Sequence, residues 1–182
     1  MMASAGPSGD IGEPGAGRRS RPSLFTRLTT SSSQFANRHG VYLGRRSTKL
    51  HVAGYRRSNG RFGGHLPGWP SARILLLDHV GAKSGIQRTS PLMYHDDGEF
   101  VAVVASKGGQ PTHPAWFHNL NAHPDTTIQI GSQVRRVRAR VATDAERNTL
   151  WLKCIAFYPG YEFFQRNARD RKIPIVILEP RE

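Results

Sequence analysis

The sequence predicts a mostly antiparallel α+β barrel of about six strands with about four flanking helices, and three observations carry that prediction. Strand-like runs in the C-terminal two thirds are joined by short turns, hairpin after hairpin, and not by the helical crossovers of a doubly wound parallel sheet. From Arg73 the pattern changes to that of strands, as an apolar run over 73–79 and an alternating arm over 133–141. The length, 182 residues with 37% apolar side chains, suits one core and is too short for two well-buried domains.

In chain order, residues 1–23 form a Gly/Pro-rich basic stretch without core-forming side chains and read as a disordered tail, so that residues 24–182 make the single domain. Residues 25–50 read as a weak helix, interrupted by the Ser/Thr cluster at 29–33 and by Gly40. Residues 58–64 and the Leu66-Pro67-Gly68-Trp69-Pro70 run are loop signals. A strand over 73–79 turns at 82–85 into a second over 87–95, where Pro91 calls for a bulge or an edge. Asp96-Asp97-Gly98 turns that strand into a third over 99–106. A helix over 113–121 carries Pro114 at its first position, where a missing N–H costs nothing. Strands over 126–130 and 133–141 flank Gly131-Ser132, with Val137, Ala139 and Val141 facing the core and Arg136, Arg138 and Arg140 facing out. Thr143-Asp144-Ala145-Glu146 is a capping box opening a helix through Trp151 and Ile155. Pro159-Gly160 ends it, and a short helix over 161–169 and a strand over 173–178 follow.

The net charge of +13 is concentrated. Between Glu13 and Asp78 there is no acidic residue, while twelve Arg and Lys fall there; the remainder is nearly balanced. Such a segment attracts an anionic partner: nucleic acid, an anionic membrane or a phosphate- and carboxylate-bearing small molecule. Its bland alternative is a solvated basic arm. Arg18-Arg19 is a twin arginine with no apolar region behind it, which argues against secretion, although an acid-poor Arg/Ser stretch is also the composition of a transit peptide. No run approaches the roughly 18 apolar residues of a membrane span, and a single cysteine, Cys154, fits a reducing, cytoplasmic compartment.

Three kinds of chemistry find little support. His113, His118 and His123 are five residues apart, about 140° on a helix, so no metal site is expected from them. Cys154 lies in an apolar helical stretch and reads as a small buried residue, not a nucleophile. Neither a dinucleotide fingerprint nor a P-loop occurs. Two glycine-containing loops stand out instead. One runs from Gly81 through Lys83, Ser84 and Arg88 to Leu92; the other runs from Ala105 through Ser106, Lys107, Gly108 and Gly109 to the helix at His113. Backbone N–H groups, cations and a helix N-terminus suit an anion beside Trp116, so a ligand joining phosphate to an aromatic ring is expected.

At this point the sequence resembles the deazaflavin-dependent nitroreductase family, whose members use coenzyme F420 on a split β-barrel. The likeness runs from about Ala53 to the C-terminus. It rests on Tyr55-Arg56 through Gly63-Gly64, the Gly-x-Lys-Ser-Gly-x-x-Arg-Thr-x-Pro-Leu run ending at Leu92, and Ala105-Ser106-Lys107-Gly108-Gly109. It continues with His113-Pro114-x-Trp116-Phe117-x-Asn119-Leu120, Tyr158-Pro159-x-Tyr161 and Ile173-Pro174-Ile175. The resemblance implies that Lys83, Ser84 and Arg88 hold the phosphodiester and oligoglutamate tail. By the same likeness Thr89, Ser90, Pro91 and Leu92 run along the ring, and Val104, Ala105, Ser106 and Lys107 contact it. Ala115, Trp116, Phe117, His118 and Asn119 complete that pocket, and Tyr161 and Ser106 are the implied catalytic residues. Tyr161 would be presented into a cavity to orient the acceptor, unless it is a core aromatic. Ala82 departs from a common Arg, and Phe164 stands where close relatives of the nitroimidazole-activating member carry a third tyrosine. The implied activity is hydride transfer from reduced F420 to a quinone, nitroaromatic or similar acceptor. An anionic membrane surface is a further candidate partner through the basic segment, which would place the protein at the inner face of the cell membrane. Two other readings fit parts of the sequence: a non-catalytic split-barrel protein holding F420, FMN or a tetrapyrrole, and a nucleic-acid module using the Arg136/Arg138/Arg140 face. The second lacks a recognition helix, and no nucleic-acid partner is expected.

Overall fold

Six strands close on one another, and a two-residue seventh leans on the outside. The computed structural model describes residues 45–182. Its elements are α1 (Arg45–Arg57), β1 (His65–Leu66), β2 (Trp69–Val80), β3 (Gln87–Asp96), β4 (Val101–Val104), α2 (Ala115–Ala122), β5 (Asp125–Ile130), β6 (Gln133–Val141), α3 (Asp144–Phe157), α4 (Gly160–Asn167) and β7 (Ile175–Pro180). The tail expected over 1–23, the domain start at Leu24 and most of the helix expected over 25–50 lie outside the described residues.

Strand order is β1-β2-β3-β4-β7-β6-β5, every pairing is antiparallel, and Leu76↔Gln129 and Leu77↔Ile128 join β2 to β5 and close the barrel. The two continuous apolar runs follow from that closure. In β2, Leu75 and Leu77 enter the barrel interior, while Ile74 and Leu76 lie under Tyr55 of α1. In β7, Val176 and Leu178 enter the interior, while Ile175 and Ile177 pack beneath α3 and α4. Both strands are covered on both faces, so neither alternates. Tyr55 bolts α1 down: its hydroxyl donates to the Ile74 carbonyl at 2.9 Å and accepts from the Gly131 N–H at 3.0 Å.

Several local expectations change. Pro91 pairs with Leu76 in an unbroken register, so there is no bulge. The edge expected there does exist, because β4 pairs only with Tyr94–Asp96 of β3. β2 starts at Trp69, inside the expected loop, and β4 stops at Val104. Pro114 is the N-cap of α2, with extended backbone, and not its first helical residue. Val141, the last residue of β6, is 42% exposed although it still pairs with Val176, since β5 covers β6 only as far as Arg138, whereas Val137 and Ala139 are buried as expected. The capping box forms: Thr143 N–H donates to Glu146 Oε2 at 2.8 Å, and Arg140 bridges Glu146 and Glu179 at 2.8 and 2.7 Å. Arg138 meanwhile pairs with Asp125 at 2.9 Å. Two of the three arginines on the supposed nucleic-acid face are therefore neutralised within the chain. Among the described residues no helix is long and apolar enough to cross a membrane.

Candidate active site

The two glycine-containing loops meet on α2. The β2–β3 turn is closed by backbone bonds from Gly81 N to Ile86 O at 2.9 Å and from Gly85 N to Gly81 O at 2.8 Å. It presents Lys83, Ser84 and Arg88 to solvent. Among the described residues neither Lys83 nor Arg88 has an ion-pair partner. The next residue after Gly81 is tied inward: the Ala82 N–H donates to Asn119 Oδ1 of α2 at 3.0 Å. Asn119 Nδ2 lies 2.8 Å from His79 Nδ1, and His79 Nε2 lies 3.0 Å from Ser90 Oγ. Asn119 and His79 are buried polar residues, each satisfied by this chain of contacts. Burial first, and the Arg88 charge second, hold the His79 pKa below the ordinary 6.5, with Asp78 opposing.

Strand alternation divides the residues of β3. Ser90 and Leu92 lie opposite Leu77 and Leu75, on the interior face. Thr89 and Pro91 lie opposite Asp78 and Leu76, on the face covered by α1. There Arg56 of α1 donates to Asp78 Oδ1 at 2.8 Å and to Thr89 Oγ1 at 3.3 Å, and Thr89 donates to Asp78 at 2.5 Å. One planar ligand cannot touch all four side chains from one face. It can run along the strand's edge before Tyr94, which no strand among the described residues covers.

The second loop is held more tightly. Lys107, Gly108 and Gly109 take φ values of 50, 63 and 78°, a left-handed run that favours glycine. A Cβ at Gly109 would meet the Phe164 carbonyl oxygen at 2.6 Å. From just before β7, Arg171 donates to the Gln110, Ala105 and Ser106 carbonyls at 2.8–3.1 Å and to His113 Nδ1 at 3.2 Å. Burial and the Arg171 charge lower the His113 pKa. His113 stands before the helix, so it is not rotated about 140° from His118 as helical spacing would have it, and the two rings come within 5.9 Å. The described residues contain no group of three metal-ligating side chains. Ser106 is partly exposed on this loop, Val104 and Ala105 are buried beneath it, and Lys107 Nζ donates to Thr112 Oγ1 at 2.6 Å.

On α2, Ala115 and His118 are exposed, whereas Trp116 and Phe117 belong to the barrel core. Tyr161 is 2% exposed and ringed by Trp151, Phe157, Tyr158 and Phe164 at centroid distances of 5.2–6.3 Å. Burial pushes its hydroxyl well above the usual range. The open presentation expected for Tyr161 is therefore corrected: the turn after Pro159 aims the ring into the second core. Cys154 is buried too, its thiol pushed up to about 12 by burial. Sequence reasoning passed over His79, Arg171 and Arg56. The only available signal for His79 and Arg171 was a polar residue at the end of an apolar strand and a basic residue just before one.

The fold and site define a split β-barrel of the flavin and deazaflavin oxidoreductase kind. The model of the F420H(2)-dependent quinone reductase family matches residues 47–180, and the chain belongs to that family of oxidoreductases. The F420H(2)-dependent quinone reductase Rv1261c of Mycobacterium tuberculosis is 38% identical over 152 residues, covering 82% of this chain and 98% of its own length. A solved F420-H2 dependent reductase, FDR-A, is 40% identical with a TM-score of 0.54, over 58% of this chain and 93% of that one. Another solved structure, described as a domain-swapped dimer, is 30% identical with a TM-score of 0.57, over 86% of this chain and 100% of that one.

Proposed function

We propose that this chain binds reduced F420 with its anionic tail at the β2–β3 turn and its ring along the open edge of β3, and passes reducing equivalents to a quinone. The observation that carries the reading is α2. It takes the turn's Ala82 N–H on Asn119, and its first turn packs on His113 of the other loop, so one helix ties both loops together. The donor set fits the cofactor: Lys83, Arg88 and the Ser84 hydroxyl face solvent together, which suits a phosphate with a carboxylate tail. When bound, F420 supplies the hydride chemistry. The chain's own residues bind and orient. Lys83, Ser84 and Arg88 meet the anionic groups; Thr89, Ser90, Pro91 and Leu92 offer the edge; Ser106 and Lys107 form the opposing wall, backed by the buried Val104 and Ala105. Ala115, Trp116, Phe117, His118 and Asn119 form the floor, the exposed members touching ligand and the buried ones setting its height. Ser106, partly exposed on a loop fixed by Arg171, is the hydroxyl available to an acceptor. Tyr161 supports that loop from behind through α4.

Fluorescence titration with F420 tests the cofactor, with FMN and haem as controls for the split-barrel alternatives. Oxidation of reduced F420 with a menaquinone analogue against a nitroaromatic tests the acceptor. Quenching by FMN and not by F420 would overturn the reading.

A membrane location is favoured by one further observation. Leu50 and Phe62 are 74% and 62% exposed beside Lys49, Arg57 and Arg61, an apolar-basic face suited to anionic lipid on the cytoplasmic side. Equal co-sedimentation with anionic and neutral liposomes would sink it.

A further inference from the structure

We propose that His79 is a positioning residue that turns the Ser90 O–H away from itself and toward the ligand on the open edge of β3; this deepens, and rests on, the cofactor reading above. The directions of the bonds follow from valence. The Ala82 N–H can only donate, so the Asn119 atom 3.0 Å from it is the carbonyl oxygen. The Asn119 atom 2.8 Å from His79 is then the amide nitrogen, which also only donates. Nδ1 of His79 must therefore offer a lone pair, and a neutral imidazole carries its proton on Nε2. That proton is donated to Ser90 Oγ at 3.0 Å. With one lone pair of Ser90 occupied by His79, its own O–H is directed elsewhere. Ser90 is partly buried on the interior face of β3 at the uncovered edge.

The surroundings keep this polarity. His79 is buried, Arg88 lies opposite it across the strand pair, and both disfavour a second proton. Among the described residues the carboxylate acting on His79, Asp78, lies on the other face, engaged by Arg56 and Thr89. From α2 the group facing His79 is the Asn119 amide. The Ser90 O–H turned away from His79 is suited to an acceptor on the ligand, such as a ring carbonyl or a deprotonated ring nitrogen.

The test combines a probe of the free protein with one of the bound chromophore. Imidazole nitrogen NMR of the ligand-free protein at neutral pH should show His79 as the Nε2–H tautomer. The opposite tautomer or an imidazolium overturns the proposal whatever the binding data. Oxidised F420 is then titrated into wild type, His79→Phe, His79→Gln, Ser90→Ala and the double variant His79→Phe/Ser90→Ala, recording affinity and the absorption maximum of the bound ring. His79→Phe and Ser90→Ala should each weaken binding roughly five- to tenfold, about one net hydrogen bond, and move the maximum in the same direction. The double variant should be no weaker than Ser90→Ala alone, because the two residues act as one unit. His79→Gln, whose amide can donate to Ser90, should keep the wild-type maximum. Additive losses, or a His79→Phe protein that binds with unchanged affinity and spectrum, overturn the proposal alone. If His79→Phe does not fold, His79→Gln decides, and a Gln spectrum like that of Ser90→Ala overturns it. A wild-type protein that fails to bind F420 overturns the cofactor reading first and the ligand role of Ser90 with it.

Discussion

The two loops that meet on α2 are built on opposite electrostatic plans. The β2–β3 turn keeps its cations, Lys83 and Arg88, in solvent and is anchored from beneath by neutral groups, Asn119 and His79. The Ala105–Pro114 loop does the reverse. Its anchor is the charged one, the Arg171 guanidinium, spent on backbone carbonyls. A loop that must meet an anion keeps its charge outward and spends neutral hydrogen bonds on structure. One that must hold a fixed shape against a ring turns its charge inward. If that contrast is right, variants of the second loop damage folding and those of the first damage affinity.

The largest effect is expected at the rigid loop. Gly109→Ala combines a φ of +78° with a Cβ 2.6 Å from the Phe164 carbonyl, and Arg171→Met leaves the Ala105, Ser106 and Gln110 carbonyls without their charged donor. Each should cost about 2–3 kcal/mol, read as a lower melting temperature and a loss of turnover together. Melting temperatures within a degree of wild type would remove the contrast. Next, Lys83→Ala and Arg88→Ala should leave melting unchanged and weaken F420 binding by about 1.5–3 kcal/mol each, less at high salt because both groups are exposed. An affinity unchanged in both variants would move the anionic tail elsewhere.

Smaller effects sharpen the comparison through pH. His79 and His113 both have pKa values lowered below 6.5 in the folded chain, so the unfolded chain takes up protons first. Their contribution to stability is full above 6.5 and declines as pH falls through 6.5 toward the folded values. Denaturation midpoints should be flat from pH 8 to 7 and fall between 6.5 and 5, and His79→Gln should reduce that slope. A slope unchanged in the variant would mean that burial does not lower the His79 pKa in the folded chain. The smallest effect is expected at Tyr161, where Tyr161→Phe should be nearly silent in kcat/KM while Tyr161→Ala lowers the melting temperature by several degrees. A Phe variant with intact F420 binding and at least tenfold lower turnover would return Tyr161 to the site.

Much of the barrel was legible because hairpin signals are local: the turns at Gly81–Gly85, Asp96–Gly98 and Gly131-Ser132, and the Thr143–Glu146 box, all announce themselves within a few residues. The strand order was not legible, since the insertion of β7 between β4 and β6 is a long-range choice that no spacing records. The site divides in the same way. Both loops stood out by composition, but Arg171 reaches the Ser106 carbonyl across 65 residues and Asn119 reaches His79 across 40. Tyr161 was misplaced for a related reason. A break at Pro159-Gly160 shows that a helix starts afresh, and only packing decides which way its first ring points.

The position of β7 has a kinetic side. Val101–Val104 of β4 pair with Ile175–Leu178, and Val137–Val141 of β6 pair with Val176–Pro180. Both halves of the sheet therefore present an unfilled edge until synthesis has passed Pro180. A loop of some 70 residues must close for β4 to pair with β7, and one of some 35 for β6, before those pairings return any free energy, a topology associated with slow folding. During that interval the apolar faces of β4 and β6 are open to edge-to-edge association. A nascent chain stalled before Ile175 would be a ready target for chaperones, or a nucleus for aggregation.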